Sequence, residues 1–243
     1  MAGRKLAVRD ALILPFNERE SLVVASDNSG GIGLKEHDIV QVPYGIVSYY
    51  GFRVAAMECI AAGGTPLAVI IHNFSGDSAW DELIIGIRQG LSELELDHLP
   101  ISGSTESNFS LLQSATGIIV IGRMLNKTDR EFSLSDDIGF AVIGQPLVGD
   151  EVVGQPELIA PLQLFKWLTE QDEVIEVIPV GSKGILYELR NFLDAEKYVC
   201  ENDLDLEKSS GPSTCFLIAY AKNGEEKLRQ KADGLFSRIE LRG

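Results

Sequence analysis

A chain of 243 residues, 45% hydrophobic and 23% charged, is long enough for one large core or two small ones and has an ordinary globular composition. Its net charge of −15 argues against a nucleic-acid partner held by counterion release, because lysine and arginine are scattered and form no basic stripe. No apolar run reaches the roughly 20 residues that a membrane helix needs, so no membrane role is expected.

The N-terminal stretch "MAGRKLAVRDALIL" has basic residues but neither the long apolar segment nor the cleavage site of a secretory leader, and it reads as mature cytoplasmic protein. The first half then alternates strands and helices. "LVVAS" reads as a strand, followed by the glycine-rich turn of "SDNSGGIG". "YGIVSYYGFRVAAMECIAAGG" is a helix closed by a glycine pair, and "PLAVII" is the next strand. "SAWDELIIGIRQGLSEL" is an amphipathic helix with a serine or aspartate placed to cap it. "LPISGS" leads into a loop, and "ATGIIVIGRML" is a long apolar strand. The polar, non-periodic "NKTDREFSLSDD" reads as a linker that separates a first domain, 1–126, from a second, 137–243.

The second half repeats the alternation. Strand "IGFAVIG", helix "ELIAPLQLFKWLTEQ", strand "VIEVIPV" and helix "KGILYELRNFLDA" come first. Strand "TCFLIAYA", helix "GEEKLRQKAD" and strand "LFSRIEL" complete it. The expected fold class is α/β (α+β), with two mixed-sheet domains. Cys59, Cys200 and Cys215 are far apart and make no CxxC pair, which fits a reducing compartment and offers no zinc or redox motif.

Three stretches carry candidate chemistry. Ile46–Ala62 is apolar on nearly every face, so Glu58 lies on a buried helix, where a carboxylate costs roughly several kcal/mol unless it is paired or metal-bound. Arg53 lies off its face, which leaves pairing with another cation, escape to solvent at the helix end, or ligation of a hard cation. In "SDNSGGIG" the backbone amides and Ser29, Gly30, Gly31 and Gly33 suit either a plain turn or an approach to phosphate. It is neither a Walker loop nor a dinucleotide fingerprint. "ISGSTESNF", with Ser102, Gly103, Ser104 and Thr105, suits a ligand loop or a solvated one. His72 has no triad partner signature and reads as a hydrogen-bonding or structural residue.

Taken in order, these stretches resemble one superfamily. It comprises aminoimidazole ribonucleotide synthase, thiamine-monophosphate kinase, selenophosphate synthetase and a hydrogenase maturation protein. "VRDALIL", with Asp10, matches in part an early "GDDAA" element, and Arg9 takes one position of its acid pair. "SDNSGGIG", with Asp27, matches "SDGVGTK", and "ECIAAGGTP" places Glu58 where an aspartate is usual. "SGST" matches "GGDT" with Ser104 in the place of the acid, and Glu106, two residues on, is the alternative carboxylate.

The resemblance implies an N-terminal domain of the aminoimidazole ribonucleotide synthase type, a shortened C-terminal domain, and a homodimer with the site between subunits. It implies ATP and Mg²⁺ as cofactors, with Asp10, Asp27 and Glu58 as metal ligands and Asp27 and Glu58 as catalytic residues. The turn Ser29–Gly33 and the segment Ser102–Thr105 would then approach nucleotide or substrate. Among family members, the chain also resembles the α-ribazole kinases, which phosphorylate a riboside in cobalamin lower-ligand salvage. That resemblance implies a small-molecule kinase. Two other readings stay open: an ATP-dependent synthase of the same superfamily, and a non-catalytic nucleotide-sensing module, which the departures at Arg9 and Ser104 and the shortened second half favour. Tyr44, Tyr49, Tyr50 and Phe52 are either helix core or a wall for the acceptor's base. Lys35 and Arg53 are the few cations in the motif region, which favours an uncharged acceptor.

Overall fold

The computed structural model describes residues 4–5, 10–126, 131–132, 137–192, 198–200 and 204–241. The fold is α/β, in two compact units: residues 9–126, and residues 1–8 together with 127–243. The N-terminal segment thus groups with the second unit, through strand β1 (Arg4–Lys5), which pairs antiparallel with Glu131–Phe132. That pairing lies inside the segment expected to be a linker; most of the remaining linker falls outside the described residues.

The unit of residues 9–126 is built from β2 (Leu12–Pro15), β3 (Glu20–Gly30), β4 (Ile32–Gly33), β5 (Val40–Gln41), α1 (Tyr44–Ala61), β6 (Thr65–Asn73), α2 (Trp80–Glu93), β7 (Ile101–Thr105) and β8 (Ala115–Leu125). Its five-stranded sheet has the order β2-β3-β8-β6-β7 and is mixed: only β6 and β7 are parallel, joined across α2. A parallel pair needs a crossover of this length, whereas β2 and β3 form a hairpin. Both helices cover one face. On that face β3 buries Val23 and Ala25, β8 buries Ile118 and Val120, and β6 buries Val69 and Ile71.

α1 is apolar all round because it has the sheet on one side and α2 on the other. The glycine pair ends it as expected: Gly63 takes a positive φ of 86°, and Gly63 and Gly64 donate their amides to the carbonyls of Ile60 and Cys59. α2 differs from expectation. A short 3₁₀ turn over Asp77–Ala79 precedes it, and Ala79 holds the cap position with no side-chain hydrogen bond. The acids Asp81 and Glu82 in its first turn face the positive end of the helix dipole instead.

The second unit contains β9 (Glu131–Phe132), β10 (Ile138–Ile143), α3 (Asp150–Gly154), α4 (Leu162–Thr169), β11 (Val174–Pro179), α5 (Gly184–Phe192), β12 (Tyr198–Cys200), β13 (Phe216–Ala221), α6 (Glu225–Ala232) and β14 (Phe236–Leu241). Its sheet runs β11-β13-β10-β14-β12, and every pairing in it is antiparallel. α5 closes one face over Phe140, Val142, Leu217 and Ala219. On the other face Phe165 of α4 stacks edge-on against Phe216, and Tyr220 against Phe236. Coverage on both sides explains why β10 and β13 are almost continuously buried. The helix expected over 157–171 begins only at Leu162, since Pro161 sets an extended cap and Pro156 opens a separate 3₁₀ turn. Cys59 and Cys215 are free, buried thiols.

Candidate functional site

The glycine-rich segment does not turn where its composition suggested. β3 continues through Asp27, Asn28, Ser29 and Gly30, paired with β8 as far as Ala115. The chain leaves the sheet at Gly31, which has a φ of 70°, and Gly33, which has a φ of 154°. Asp27 is therefore inside a strand, not at its lip. Side chains alternate faces along a strand, so Asp27 shares the helix-covered face of Val23 and Ala25, while Asn28 faces the other way.

On that face Asp27 lies against α1 at Gly51. A Cβ added at residue 51 would sit 3.6 Å from Asp27 Oδ2 and 3.1 Å from Ile118 Cδ1, so the glycine leaves the space the carboxylate uses. Burial pushes the Asp27 pKa from 3.8 up to about 6, against a smaller opposing pull from the Asn28 amide. No cation pairs with Asp27 among the described residues. In register beside it, Ser29 of β3, Thr116 of β8, Asn73 of β6 and Thr105 of β7 form a polar row on the same face. Asn73 is fully engaged, donating to Gly76 O and Thr105 Oγ1 and accepting from the Ser75 amide. Thr116 Oγ1 is buried without a hydrogen-bond partner among the described residues.

The loop after β3 is held by two side chains that sequence reasoning passed over or misassigned. Asp38, buried, accepts from the Ser114 amide and hydroxyl, both at 2.6 Å, and from the Lys35 amide at 2.8 Å. Burial opposes its charge, but these bonds and the nearby Lys35 ammonium prevail and hold its pKa below the usual value. Lys35 Nζ donates to the carbonyls of Leu111, Phe74 and Gln113 at 3.0, 3.3 and 3.4 Å. It clamps three loops together and is not an open cation at the site. Arg53 is not available either. It is fully buried between α1 and α2, hydrogen-bonded with Tyr49 and near Glu93, whose carboxylate accepts from Tyr49 Oη at 3.0 Å. Tyr44 and Phe52 are core, and Tyr49 packs edge-on against Tyr50, so the tyrosine wall expected for an acceptor's base is helix packing. The exposed apolar side chains of the region are instead Leu34, Ile39, Phe74, Phe109, Leu111 and Leu112, on the clamped loops.

The remaining sequence candidates are dispersed. Glu58 lies seven residues beyond Gly51 on α1, about 10 Å along the helix axis from the Asp27 level. Asp10 is exposed ahead of β2. Among the described residues no three His, Cys, Asp or Glu side chains come together as a metal cluster, so Asp10, Asp27 and Glu58 are not assembled within one chain. Ser102, Gly103, Ser104 and Thr105 are not a loop but the edge strand β7. Ser104 pairs with His72 and shares the uncovered face with Asn28, opposite to Asp27. His72 is exposed on that face.

No protein-family profile matches the chain, and no curated protein matches it in sequence. Solved structures do match in fold. Thiamine monophosphate kinase from Aquifex aeolicus has a TM-score of 0.60 at 12% identity over 96% of this chain and 89% of that one. The structure of AaThiL complexed with AMPPCP and TMP scores 0.61 at 12% identity, over 98% and 85%. The E. coli hydrogenase maturation protein HypE scores 0.58 at 11% identity, over 90% and 80%. PurL of T. maritima, complexed with ATP, scores 0.57 at 14% identity, over 95% of this chain and 42% of that chain. At these identities the likeness is one of fold.

Proposed function

We propose that the chain is an ATP- and Mg²⁺-dependent phosphotransferase acting on a small, uncharged acceptor, with α-ribazole as the specific candidate. The observation that carries this reading is Asp27, a half-buried carboxylate with no counter-cation among the described residues, in a gap that Gly51 leaves open. A largely desolvated carboxylate without a counter-cation is expensive, and such groups concentrate at functional sites. The donors around it are oxygens, which suits a hard divalent cation. When bound, Mg²⁺ would neutralise charge on the phosphates. Asp27 would hold the cation, and the Gly30–Gly33 backbone would approach the nucleotide. Asp10, Glu58 and Ser104 are proposed to join the site only across a homodimer, whereas Thr105 already lies in the polar row on the face of Asp27. Leu12, Leu14, Leu22, Val24, Ile70, Ile119 and Ile121 give the uncovered face of the sheet an apolar character that a second copy would bury.

With Arg53 sealed and Lys35 occupied by carbonyls, the region around Asp27 offers no free lysine or arginine among the described residues for a phosphorylated acceptor. The exposed Phe74 and Phe109 on the clamped loops are the proposed wall for an aromatic base. The protein incubated with Mg-ATP and α-ribazole should yield ADP and a product heavier by one phosphoryl group, and little product with thiamine monophosphate. Turnover of the phosphate ester alone would refute the acceptor assignment. ATP binding by calorimetry that is equal with and without Mg²⁺ would refute the cation site itself.

A further inference from the structure

We infer that Glu106 is a positioning residue for the acceptor, acting through the ring of Phe109. The inference rests on the reading of Phe74 and Phe109 as the wall for an aromatic base, and it needs no cation at Asp27. β6 and β7 leave the sheet side by side: Asn73 pairs with Thr105, and the Glu106 amide donates to Asn73 O at 2.8 Å. Beyond β7 the chain turns about one oxygen. Glu106 Oε1 accepts from the amides of Asn108 at 2.7 Å and Phe109 at 3.2 Å, which fixes the backbone that carries the Phe109 ring. Glu106 therefore serves as the former of this turn, whereas its place two residues from Ser104 suggested a carboxylate held ready for a metal. Phe74 starts from the neighbouring strand end. Its amide donates to Ala115 O at 3.0 Å, and its carbonyl accepts from Lys35 Nζ, which also donates to Leu111 O and Gln113 O.

Both rings thus stand on tied backbone while their faces stay in water, Phe74 41% and Phe109 76% exposed. An exposed ring gives up the stabilisation that burial would bring, and a single one is ordinary. Here, however, an ionised side chain is committed to holding the ring's own backbone, with bonds of the stronger, charge-assisted kind. A flat ring on ordered backbone loses little freedom when a base stacks on it, so the order is set before the acceptor arrives. Without the two bonds the segment must be ordered on binding, and acceptor affinity should fall by about tenfold.

The test uses the full-length protein with Mg-ATP and α-ribazole, and the variants Glu106→Ala, Glu106→Gln, Phe109→Ala and the double alanine variant. Glu106→Ala should raise KM for α-ribazole about tenfold and leave kcat and KM for ATP within about twofold, the split expected when only acceptor binding is lost. Calorimetric titration with α-ribazole should show the same loss. Glu106→Gln keeps a carbonyl that accepts both amides and should stay within about threefold of the parent. Glu106→Ala in a Phe109→Ala background should cost nothing further, since the carboxylate acts through that ring. Full, additive losses in the double variant would overturn the inference, as would an unchanged KM in Glu106→Ala. Equal collapse of kcat in Glu106→Gln and Glu106→Ala would show that the charge itself is used and would overturn it too. Phe109→Ala leaves the turn's backbone bonds in place and covers the case in which Glu106→Ala does not fold: an unchanged KM for α-ribazole there overturns the inference. A parent that does not turn over α-ribazole would overturn it together with the acceptor reading.

Discussion

Asp27 and Arg53 are both charged groups removed from water, yet they should respond in opposite ways to substitution. Asp27 has its pKa raised by burial to about 6, so its ionised form is costlier in the fold than in the unfolded chain. Below the ordinary value of 3.8 it is neutral in both states and costs nothing; above about 6 it is charged in both and the full penalty applies, about 3 kcal/mol. The metal-free protein should therefore gain stability from this group as pH falls from about 7 to about 4. Asp27→Asn should melt higher than the parent at neutral pH, the two converging below 3.8, while losing turnover. A variant that melts lower at neutral pH would show that Asp27 is a structural acid. Arg53 is the contrasting case: burial lowers its pKa, but a hydrogen bond with Tyr49 and the nearby Glu93 carboxylate offset part of that cost, partners that Asp27 lacks among the described residues. Arg53→Ala leaves the Glu93 carboxylate beside an empty volume and should cost about 3–5 kcal/mol in urea denaturation. Neither contrast was visible in sequence. Arg53 reads as one basic residue in an apolar helix, and the carboxylate near it, Glu93, comes from the next helix.

The elements were legible where periodicity spans many residues and less so where a strand turns polar. β8 is found over the span its apolar run indicates, Ala115–Leu125, and α1 closes at its glycines. β3 runs past Ser26 to Gly30, although aspartate, asparagine, serine and glycine together read as a turn, because a strand is held by backbone bonds that do not depend on those side chains. That matters for the site, since a one-residue change in where a strand stops or slips decides which face a side chain takes. Motif order groups Ser104 with Asp27, but the ladder puts the two on opposite faces. The α1–α2 contact was equally invisible. A Cβ at Gly86 would come within 2.0 Å of Gly45 O, and one at Gly90 within 2.4 Å of Phe52 Cδ1. Gly86→Ala should push the two helices apart and lower stability by about 1–3 kcal/mol in urea denaturation, despite the better helix propensity of alanine. A neutral or stabilising result would mean that α2 shifts at little cost.

At the scale of the molecule, the sheet of residues 9–126 has helices on one face and mainly apolar, half-exposed side chains on the other. If a second copy covers that face, light scattering at micromolar concentration should give a dimer, and Leu14→Asp should give a folded monomer. A parent that runs as a fully active monomer would contradict a site shared between copies. Among the described residues no helix is long and apolar enough to cross a membrane. The pairing of Arg4–Lys5 with Glu131–Phe132 has a consequence for synthesis on the ribosome. β1 emerges first, but its partner strand follows only after the whole unit of residues 9–126, a delay of roughly ten seconds at ordinary translation rates. The unit encoded in the middle can be finished while the leading residues still wait for theirs. A change at Arg4–Lys5 would thus weigh on a unit translated only after residues 9–126.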